Sequence, residues 1–389
     1  MMRVYGAVAL AASLVLGCPG AAQADGATAP LSGPDLLYVT NQGEATVAVV
    51  DAEARQVVET VDLQELGYSE QAQPHHAVAE ADGSAWYVSL IAENVVLKFD
   101  ADNELVGEVE AEAPGLLAIH PTRDELYVAR SMMAVDPPPT VVVVDRSEFT
   151  FLDEIDVFFP RPHALAISGD GRFAVSASLT TNQFIGLDTE TARGELTTDE
   201  GATHVVNQMA VSPDGSEVVA TGQMTGQLLF FELEDDGHLE PTGAVDVGAQ
   251  PWHPVYGADG RYAYVPNKES NSVSVVDAEA REVVETIEDD SFAQPHGSAV
   301  SADGRHLFVS NNHQPMMMEQ MAQEMAAGAE MPPEPPEPAE PDGHDEHHDS
   351  HEVHEERPGT LSVIDLETWE VVDEIAVGLY ATGVGTRAR

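Results

Sequence analysis

Five histidines occupy matching positions in four similar segments of the chain. The segments QPHHAVAEADG, RPHALAISGDG, QPWHPVYGADG and QPHGSAVSADG begin at residues 73, 161, 250 and 294 and align without gaps. In this alignment His75, His163 and His296 share one position, and His76 and His253 share the next. Neutral imidazole is the commonest protein ligand for ions such as copper and zinc. The pattern therefore makes these five histidines candidate metal ligands.

Two other interpretations of the same histidines stay open. Polar side chains at the mouth of a channel often bind nothing but water, and the imidazoles would then have a structural role. They could also hold an organic ligand instead of a metal ion. His120 and His306 fall at a turn and at the start of a strand pattern, so we assign both a structural role.

A second group of potential ligands lies in one segment near the C-terminus, residues 313–358. Its first part places Met317, Met321 and Met325 four residues apart, which forms one stripe along a short helix that Pro315 would begin. Thioethers favour Cu(I), whereas imidazole and carboxylate groups accept Cu(II), Zn(II) or Ni(II). The candidate metal ligands of this segment are His313, Met316, Met317, Met321, Met325, His344, His347, His348, His351 and His354.

The same segment also has a plainer interpretation. Its middle part, PPEPPEPAEP, is typical of an extended, stiff chain without a packed core. Runs of histidine and carboxylate residues bind metal weakly and without selectivity by default. The segment could therefore be a disordered acidic tether whose methionines pack on the domain, and the sequence leaves tethering and metal capture open.

The elements that must position the histidines are short strands in a repeat. A pattern such as ATVAVVD occurs seven times, beginning at residues 45, 94, 140, 182, 226, 271 and 359. Removing an insert of roughly 45 residues from the last interval restores the common spacing of the repeat. Four short strands in each repeat predict an all-β fold, a seven-bladed β-propeller with a disordered Met/His/Pro-rich insert in blade seven.

The first repeat lacks an inner strand, and the C-terminus has one left over. The stretch LYATGVG, residues 379–385, has the inner-strand pattern. We expect it to complete the first blade, which closes the ring and leaves only short, protected edges. In the three blades without a histidine, this register gives Asn207, Gly115 and Tyr380 the first position of the pattern.

The predicted propeller brings the candidate ligands to one face. Inner strands line the central channel, so the five histidines should converge at its mouth. The insert replaces a loop between a second and a third strand, and such loops emerge on this face. Met132, Met133 and Met224 lie in two other loops of the same kind. We therefore expect one metal-handling face.

The charge and the cysteine content exclude several kinds of partner. Lys and Arg number 16 against 68 Asp and Glu, which gives a formal net charge of -52. This charge repels nucleic acid and anionic membrane surfaces and attracts cations. Cys18 is the only cysteine, so the mature domain has no disulfide, no CxxCH haem attachment and no thiolate metal site. The sequence also lacks a nucleophile elbow, a P-loop and a dinucleotide fingerprint.

The N-terminus has the features of an export signal. Arg3 precedes VALAASLVLG, which is too short to remain as a helix across a bilayer. Cleavage after AQA would release the chain, whereas cleavage within VLGC would leave Cys18 lipidated. The predicted domains are a signal peptide over residues 1–24, a linker over 25–34 and a propeller over 35–389, with the insert at 313–358. We expect a periplasmic or extracellular protein, either free or lipid-anchored.

The stretch LYVTN....TVAVVDAEARQVVETV, residues 37–61, resembles the YVTN-type seven-bladed propeller family, which includes YncE-like exported proteins. The chain is also similar to the propeller domain of nitrous oxide reductase, which gathers histidines, including an adjacent pair, around a copper–sulfide cluster. By this resemblance His75 and His76 match the pair, and His163, His253 and His296 match single ligands. Two of the seven ligands and the cupredoxin domain have no counterpart, so nitrous oxide reduction is not implied.

The sequence therefore predicts an exported propeller that binds a metal ion at the channel mouth, with the insert capturing or delivering ions. Copper is favoured over zinc and nickel, and no catalytic residue is assigned. One alternative is a non-enzymatic YVTN-type scaffold that binds another envelope protein, and another is an oxidoreductase component with a haem d1-like cofactor. A lactonase-like hydrolase is disfavoured by the export signal and by the lack of a carboxylate–arginine grouping. We expect a monomer that meets the membrane only through a lipid anchor.

Overall fold

The computed structural model describes residues 34–313 and 357–387, and this part of the chain is built from β-strands. It contains 28 strands in seven antiparallel sheets of four strands each. No helix that could cross a membrane is found within the described ranges. The seven sheets are the blades of a propeller, so the predicted fold class is confirmed.

The blades are numbered here along the chain, and the strands of each are given from the channel outward. Blade one consists of β28 (Ala381–Gly385), β1 (Leu36–Asn41), β2 (Thr46–Asp51) and β3 (Gln56–Asp62). Blade two consists of β4 (Pro74–Ala79), β5 (Ala85–Leu90), β6 (Val95–Asp100) and β7 (Leu105–Glu110). Blade three consists of β8 (Pro114–Ile119), β9 (Glu125–Arg130), β10 (Thr140–Asp145) and β11 (Thr150–Asp156).

The other four blades follow the same order. Blade four consists of β12 (Pro162–Ile167), β13 (Phe173–Ser178), β14 (Gln183–Asp188) and β15 (Arg193–Thr198). Blade five consists of β16 (Val206–Val211), β17 (Glu217–Gly222), β18 (Gln227–Leu233) and β19 (Leu239–Asp246). Blade six consists of β20 (Val255–Tyr256), β21 (Tyr262–Asn267), β22 (Ser272–Asp277) and β23 (Glu282–Glu288). Blade seven consists of β24 (Pro295–Val300), β25 (His306–Asn311), β26 (Thr360–Asp365) and β27 (Glu370–Ala376).

The inner strands form a closed ring around the channel. Each contacts the inner strand of the next blade, in the order β4, β8, β12, β16, β20, β24 and β28, and β28 contacts β4 again. The C-terminal strand β28 pairs with β1, with Val384 opposite Val39 and Ala381 opposite Asn41. This pairing confirms that the end of the chain completes blade one.

The expected position of Tyr380 was wrong by two residues. Ala381 pairs with the last residue of the second strand, as Pro74 pairs with Leu90 in blade two. Thr382, and not Tyr380, is therefore the counterpart of His75. The β1–β28 pair has the same register shift as the β4–β5 pair, so the shift is not the cause. The segment LYATGVG lacks the proline that begins β4, β8, β12 and β24, so its sequence does not mark where the strand starts.

The hydrophobic core lies between the blades and not in the channel. Seven separate clusters of buried side chains each join two neighbouring blades, and one of them joins blade seven to blade one. Between blades one and two, Trp86 stacks on Tyr38 and on Phe99 with ring centroids 4.6 and 4.2 Å apart. Replacing such a buried aromatic by alanine typically costs about 3–5 kcal/mol, so these contacts hold the ring together.

The strands differ in burial because of their place in the blade. Every residue of the second strands β5 and β13 is buried, because both faces of a blade pack against neighbours. This explains why those strands, AWYVSL and FAVSAS, consist of apolar residues and serine and carry no charge. The fourth strands, such as β3 and β27, are mostly exposed and carry charges, which protects the outer edge from pairing with other chains.

The insert is placed as the repeat spacing predicts. It lies in the connection between β25 and β26, the second and third strands of blade seven. Asn311 pairs with Thr360 across the base of this connection, and on its other side Asn311 pairs with Pro295. The insert therefore starts next to the strand that carries His296.

Candidate functional site

The fold brings together all five histidines that the aligned segments single out. His75 and His76 lie on β4 of blade two, His163 lies on β12 of blade four and His296 lies on β24 of blade seven. His253 lies two residues before β20 of blade six. Each stands at the start of an inner strand, so the four blades point these side chains toward the same end of the channel.

The imidazole rings form two connected groups that span the channel. The ring centroids of His75 and His163 are 5.8 Å apart. Those of His76 and His253 are 6.0 Å apart, and those of His253 and His296 are 5.2 Å apart. Blades two and six are not neighbours in the ring, so the contact between His76 and His253 reaches across the channel.

Burial keeps the cluster uncharged. His76 is partly buried, and the other four side chains are at most 6% exposed. Burial lowers the pKa of His76 and of His163 to about 4, and it holds the pKa of His75, His253 and His296 well below the usual range. Neighbouring imidazoles lower several of these pKa values further. At neutral pH the rings are therefore neutral, which is the form that binds metal ions.

The hydrogen bonds of two histidines determine which ring nitrogen carries the proton. His163 Nδ1 is 2.8 Å from the carbonyl oxygen of Arg130, so Nδ1 donates and Nε2 has a lone pair. Gly115 makes room for this carbonyl, because a Cβ there would lie 2.6 Å from the Arg130 oxygen. His76 Nδ1 instead accepts the N–H of Leu117 at 3.1 Å, so the proton of His76 is on Nε2.

Several buried polar atoms of the channel have no hydrogen-bond partner in the described part of the chain. They include both ring nitrogens of His75, Nδ1 of His296 and Oδ1 of Asn207. An unsatisfied buried polar atom costs about 1–3 kcal/mol, so such groups usually meet water, an ion or a ligand. His75 is the clearest case, because one of its nitrogens needs an acceptor and the other offers a lone pair.

A ring of strained residues surrounds the histidines. In six blades the residue before the inner strand has a left-handed backbone, and in blade six the residue before the bridge of Pro251 to Asn267 has one too. With φ between 44° and 59°, these residues are Gln73, Ala113, Arg161, Val205, Gln250, Gln294 and Tyr380. Each carbonyl accepts the N–H of the first residue after the second strand, as Gln73 does from Ile91 at 3.2 Å. This repeated hydrogen bond stabilises a backbone conformation that non-glycine residues normally avoid. It also fixes the position at which each histidine-bearing inner strand begins.

Two cationic side chains flank the cluster, and the sequence patterns did not point to either. The Lys268 ammonium lies 5.1 Å from the ring centroid of Trp252, and that ring lies 4.7 Å from His296. Arg161 donates a hydrogen bond to the carbonyl of Met132 at 2.6 Å. Lys268 is one of only two lysines in the chain, which was the one signal that could have drawn attention to it.

Carboxylates are absent from the buried interior of the described residues. The buried polar and charged side chains there are Thr, Ser, Asn, Gln, His, Arg and Lys, without Asp or Glu. In residues 34–313 and 357–387, no three His, Cys, Asp or Glu side chains are arranged to hold a metal ion as the rings stand. The cluster is therefore a set of neutral imidazoles in contact whose nitrogens do not yet converge on one point.

His120, His306 and His313 lie outside the channel cluster. His313 follows β25, its Nε2 is buried without a hydrogen-bond partner in the described part, and the charges that act on it are those of Glu374 and Arg357. It does not share the ring contacts of the channel cluster. His120 Nδ1 accepts the backbone N–H groups of two turn residues, and His306 Nε2 lies 2.9 Å from a nitrogen of Arg55. Both contacts agree with structural roles.

The other candidate residues lie outside the described residues, and their ligand or lipidation roles stay predictions. They are Cys18, Met316, Met317, Met321, Met325, His344, His347, His348, His351 and His354.

Comparison with known proteins identifies the family of the fold. A family model described as "Lactonase, 7-bladed beta-propeller" matches residues 103–322. The chain is 30% identical over 112 residues to a 6-phosphogluconolactonase of Enterobacter, covering 25% of this chain and 34% of that protein. It is 28% identical over 138 residues to the uncharacterised protein YncE of Salmonella typhi, covering 34% and 37%. The chain thus spans about a third of the length of the curated relatives it matches.

Solved structures share the fold at low sequence identity. A functionally unknown protein from Desulfotomaculum acetoxidans matches with a TM-score of 0.66 and 13% identity, covering 91% of this chain and 99% of that one. A dihydro-heme d1 dehydrogenase, NirN, matches with a TM-score of 0.57 and 12% identity, covering 91% and 76%. At such identities the likeness concerns the propeller fold alone.

Proposed function

The chain belongs to the lactonase family of seven-bladed β-propellers, and from this premise we propose that it is an exported protein that binds a copper ion in the propeller channel. The observation that carries the proposal is the meeting of five neutral imidazoles, of which His75 has both ring nitrogens buried without a hydrogen-bond partner in the described residues. A metal ion would use the lone pair that His75 leaves unused.

The spacing of the rings supports ligation of one ion. Metal–nitrogen bonds of about 2.0–2.1 Å place the centroids of two imidazoles that share an ion about 5–6 Å apart. The two ring pairs formed by proposed ligands, His253–His296 and His75–His163, are separated by 5.2 and 5.8 Å. Rotation of the side chains would turn the nitrogens of each pair toward a shared ion.

The hydrogen bonds divide the five histidines into two roles. His75, His163, His253 and His296 are the ligands in this proposal, and His163 would bind through Nε2 because Nδ1 donates to a carbonyl. His76 presents an N–H instead of a lone pair at Nε2, because Leu117 occupies its Nδ1. His76 would become a ligand only by giving up that bond, so we assign it the role of hydrogen-bond donor to whatever else enters the site.

The insert and the N-terminal signal complete the proposal. The connection that contains the insert begins beside β24, so ions captured by its methionines and histidines would be released close to His296. An export signal would place the protein in the periplasm or outside the cell, where it meets metal ions directly. Copper is favoured over zinc and nickel because thioether and imidazole groups occur together in the chain.

Lactone hydrolysis is a second candidate function, which the family description and the name of the Enterobacter relative suggest. Hydrolysis needs a general base and a group that stabilises a developing oxyanion. A neutral imidazole with a depressed pKa, near the charge of Lys268, offers both chemistries. In this case hydrolysis would proceed in the presence of a chelator and would be lost in a His296→Ala variant.

The test is the composition of the protein as isolated. The full chain, purified from its native compartment without chelators, should contain at least one copper per molecule by mass spectrometry of the metal content. Absorption bands of haem would instead support the cofactor-bearing oxidoreductase, and a colourless, metal-free protein would favour the interaction scaffold. The N-terminal residue of the isolated protein, identified by mass spectrometry, shows whether the chain was cleaved after residue 24 or lipidated at Cys18.

A further inference from the structure

Blade five contributes an asparagine at the inner-strand position that carries histidines on other blades. Asn207 is the counterpart of His75, because the residue before each of them pairs with the last residue of the second strand. The Asn207 side chain is fully buried, and its Nδ2 donates to the carbonyl of Pro251 at 3.4 Å. Its Oδ1 has no hydrogen-bond partner in the described part of the chain. An amide oxygen can only accept hydrogen bonds, so this buried oxygen requires a donor.

The unsatisfied polar atoms of this position approach the channel from three sides. Both ring nitrogens of His75, Oδ1 of Asn207 and Nδ1 of His296 are buried without a hydrogen-bond partner in residues 34–313 and 357–387. These residues stand on blades two, five and seven, which are spread around the ring of seven blades. A group bound on the channel axis would therefore be approached by all three side chains.

A copper ion by itself would leave the oxygen of Asn207 without a donor. Copper binds imidazole nitrogens, whereas neutral carbonyl oxygens suit harder ions such as Mg(II), Ca(II) and Mn(II). An ion would also leave the N–H at Nε2 of His76 unused, because Nδ1 of that ring accepts the N–H of Leu117 at 3.1 Å. A group that completes the site must therefore donate one hydrogen bond and accept another.

We infer that the copper ion of the channel keeps one coordination position for a small molecule that binds through an O–H group, such as water or an alcohol. This inference rests on the proposed function and adds the class of molecule that the site takes. Cu(II) favours tetragonal sites, in which four imidazoles leave a further position open.

The chemistry of an O–H group matches the two unused groups of the site. Its oxygen has two lone pairs, of which one binds the ion and the other accepts the N–H of His76. Its hydrogen is donated to Oδ1 of Asn207. An amine has a single lone pair, which the ion occupies, so an amine cannot also accept from His76.

The experiment titrates full-length protein, loaded with less than one equivalent of Cu(II), with azide. The ligating nitrogen of azide carries no hydrogen, and the absorption band of its Cu(II) complex reports binding. Azide that replaces the O–H molecule leaves Oδ1 of Asn207 without a donor, whereas a leucine of similar size has no such cost. We therefore expect Asn207→Leu to raise the azide affinity about tenfold.

Two further variants serve as controls. Gln227→Leu removes an amide from the outer part of the same blade, where Gln227 donates to Asp246, and should leave the azide affinity within about twofold of wild type. His75→Ala removes a proposed copper ligand, so the part of the azide band that this variant loses belongs to the channel.

Two results would overturn the inference. One is an azide affinity that Asn207→Leu leaves unchanged while the channel still binds Cu(II). The other is a wild-type channel copper without hyperfine coupling to the oxygen of isotope-labelled water, measured by electron–nuclear double resonance. This second measurement needs no variant of Asn207, so it decides the question if Asn207→Leu does not fold. A protein whose channel binds no copper would contradict the proposed function itself, which separates the two failures.

Discussion

The ring centroids of His76 and His253 lie 6.0 Å apart, although the two residues belong to blades two and six. The contact depends on the closure of the ring, because it joins parts of the chain that are not neighbours in the propeller. His253 in turn lies 5.2 Å from His296 of blade seven. The cluster is therefore a property of the closed propeller and not of any single blade.

The insert should be dispensable for folding. Asn311 and Thr360 pair across its base, and all four strands of blade seven lie outside it. Deleting residues 316–356 should leave the melting temperature within a few degrees of wild type, because long surface loops cost little closure entropy. The number of metal ions bound per molecule should fall. An unfolded deletion variant, detected by circular dichroism, would mean that the segment contributes to the core.

The C-terminal strand should be essential for stability. Ending the chain after Val377 removes β28, which pairs with β1 and contacts β4 and β24. Loss of an inner strand opens the ring and exposes the core between blades seven and one, so we expect a melting temperature at least 10 °C lower. A control that ends at Arg387 keeps β28 and should melt like wild type. Equal melting of the Val377 truncation and wild type would refute closure.

Val205 should be a site where glycine stabilises the protein. Its φ is 55°, a conformation that β-branched residues rarely adopt and glycine adopts easily. Val205→Gly should raise the free energy of unfolding by about 1 kcal/mol. Val58→Gly is the matched control, because Val58 is 51% exposed on β3 and needs no left-handed backbone. Urea unfolding should show a lower free energy of unfolding for Val58→Gly. A lower free energy of unfolding for Val205→Gly as well would show that Val205 is not strained.

His163 should make the stability of the metal-free protein sensitive to pH. Burial holds its pKa at about 4 in the folded state, against 6.5 for an exposed histidine. Between these values the unfolded chain takes up a proton that the folded protein excludes. The stability present above pH 6.5 is therefore lost as the pH falls toward 4, by about 2 kcal/mol at pH 5 for this group.

The matched variant is His163→Gln, whose amide can still donate to the carbonyl of Arg130. Urea unfolding of both proteins at pH 7.5 and pH 5.0, with a chelator present, gives the two losses of stability. The decrease in the free energy of unfolding between pH 7.5 and pH 5.0 should be smaller in the variant, by about the 2 kcal/mol that His163 contributes. Equal losses would mean that His163 takes up a proton without cost in the folded state.

The sequence was sufficient to predict the fold because each repeat can be recognised from its own residues. Each strand has its own β-branched run and each turn its own signal, so seven copies could be counted without knowledge of the contacts between them. The alignment of the inner strands also predicted that His75, His163 and His296 would be equivalent. It failed at Tyr380, because residues 379–385 lack the proline that begins most other inner strands, and the equivalent position is Thr382.

The details of the site could not be predicted because they depend on neighbouring blades. The tautomer of His76 is determined by the N–H of Leu117 on blade three, and that of His163 by the carbonyl of Arg130. Trp252 and Lys268 reach the cluster from positions that have no repeated pattern. The diameter of the ring of blades determines which histidines contact one another across the channel. No local sequence pattern specifies this diameter.

The central claim, that the channel histidines bind a metal ion, is tested most directly by calorimetric titration of the insert-deleted protein with Cu(I). We expect one tight site, weakened at least tenfold, or about 1.4 kcal/mol, by His75→Ala. His76→Ala should weaken it less, because Leu117 occupies the Nδ1 of His76. His238→Ala, outside the channel beside Glu240, is the matched control and should leave the isotherm unchanged. Absence of a tight site, or an isotherm that His75→Ala does not change in a folded protein, would contradict the account.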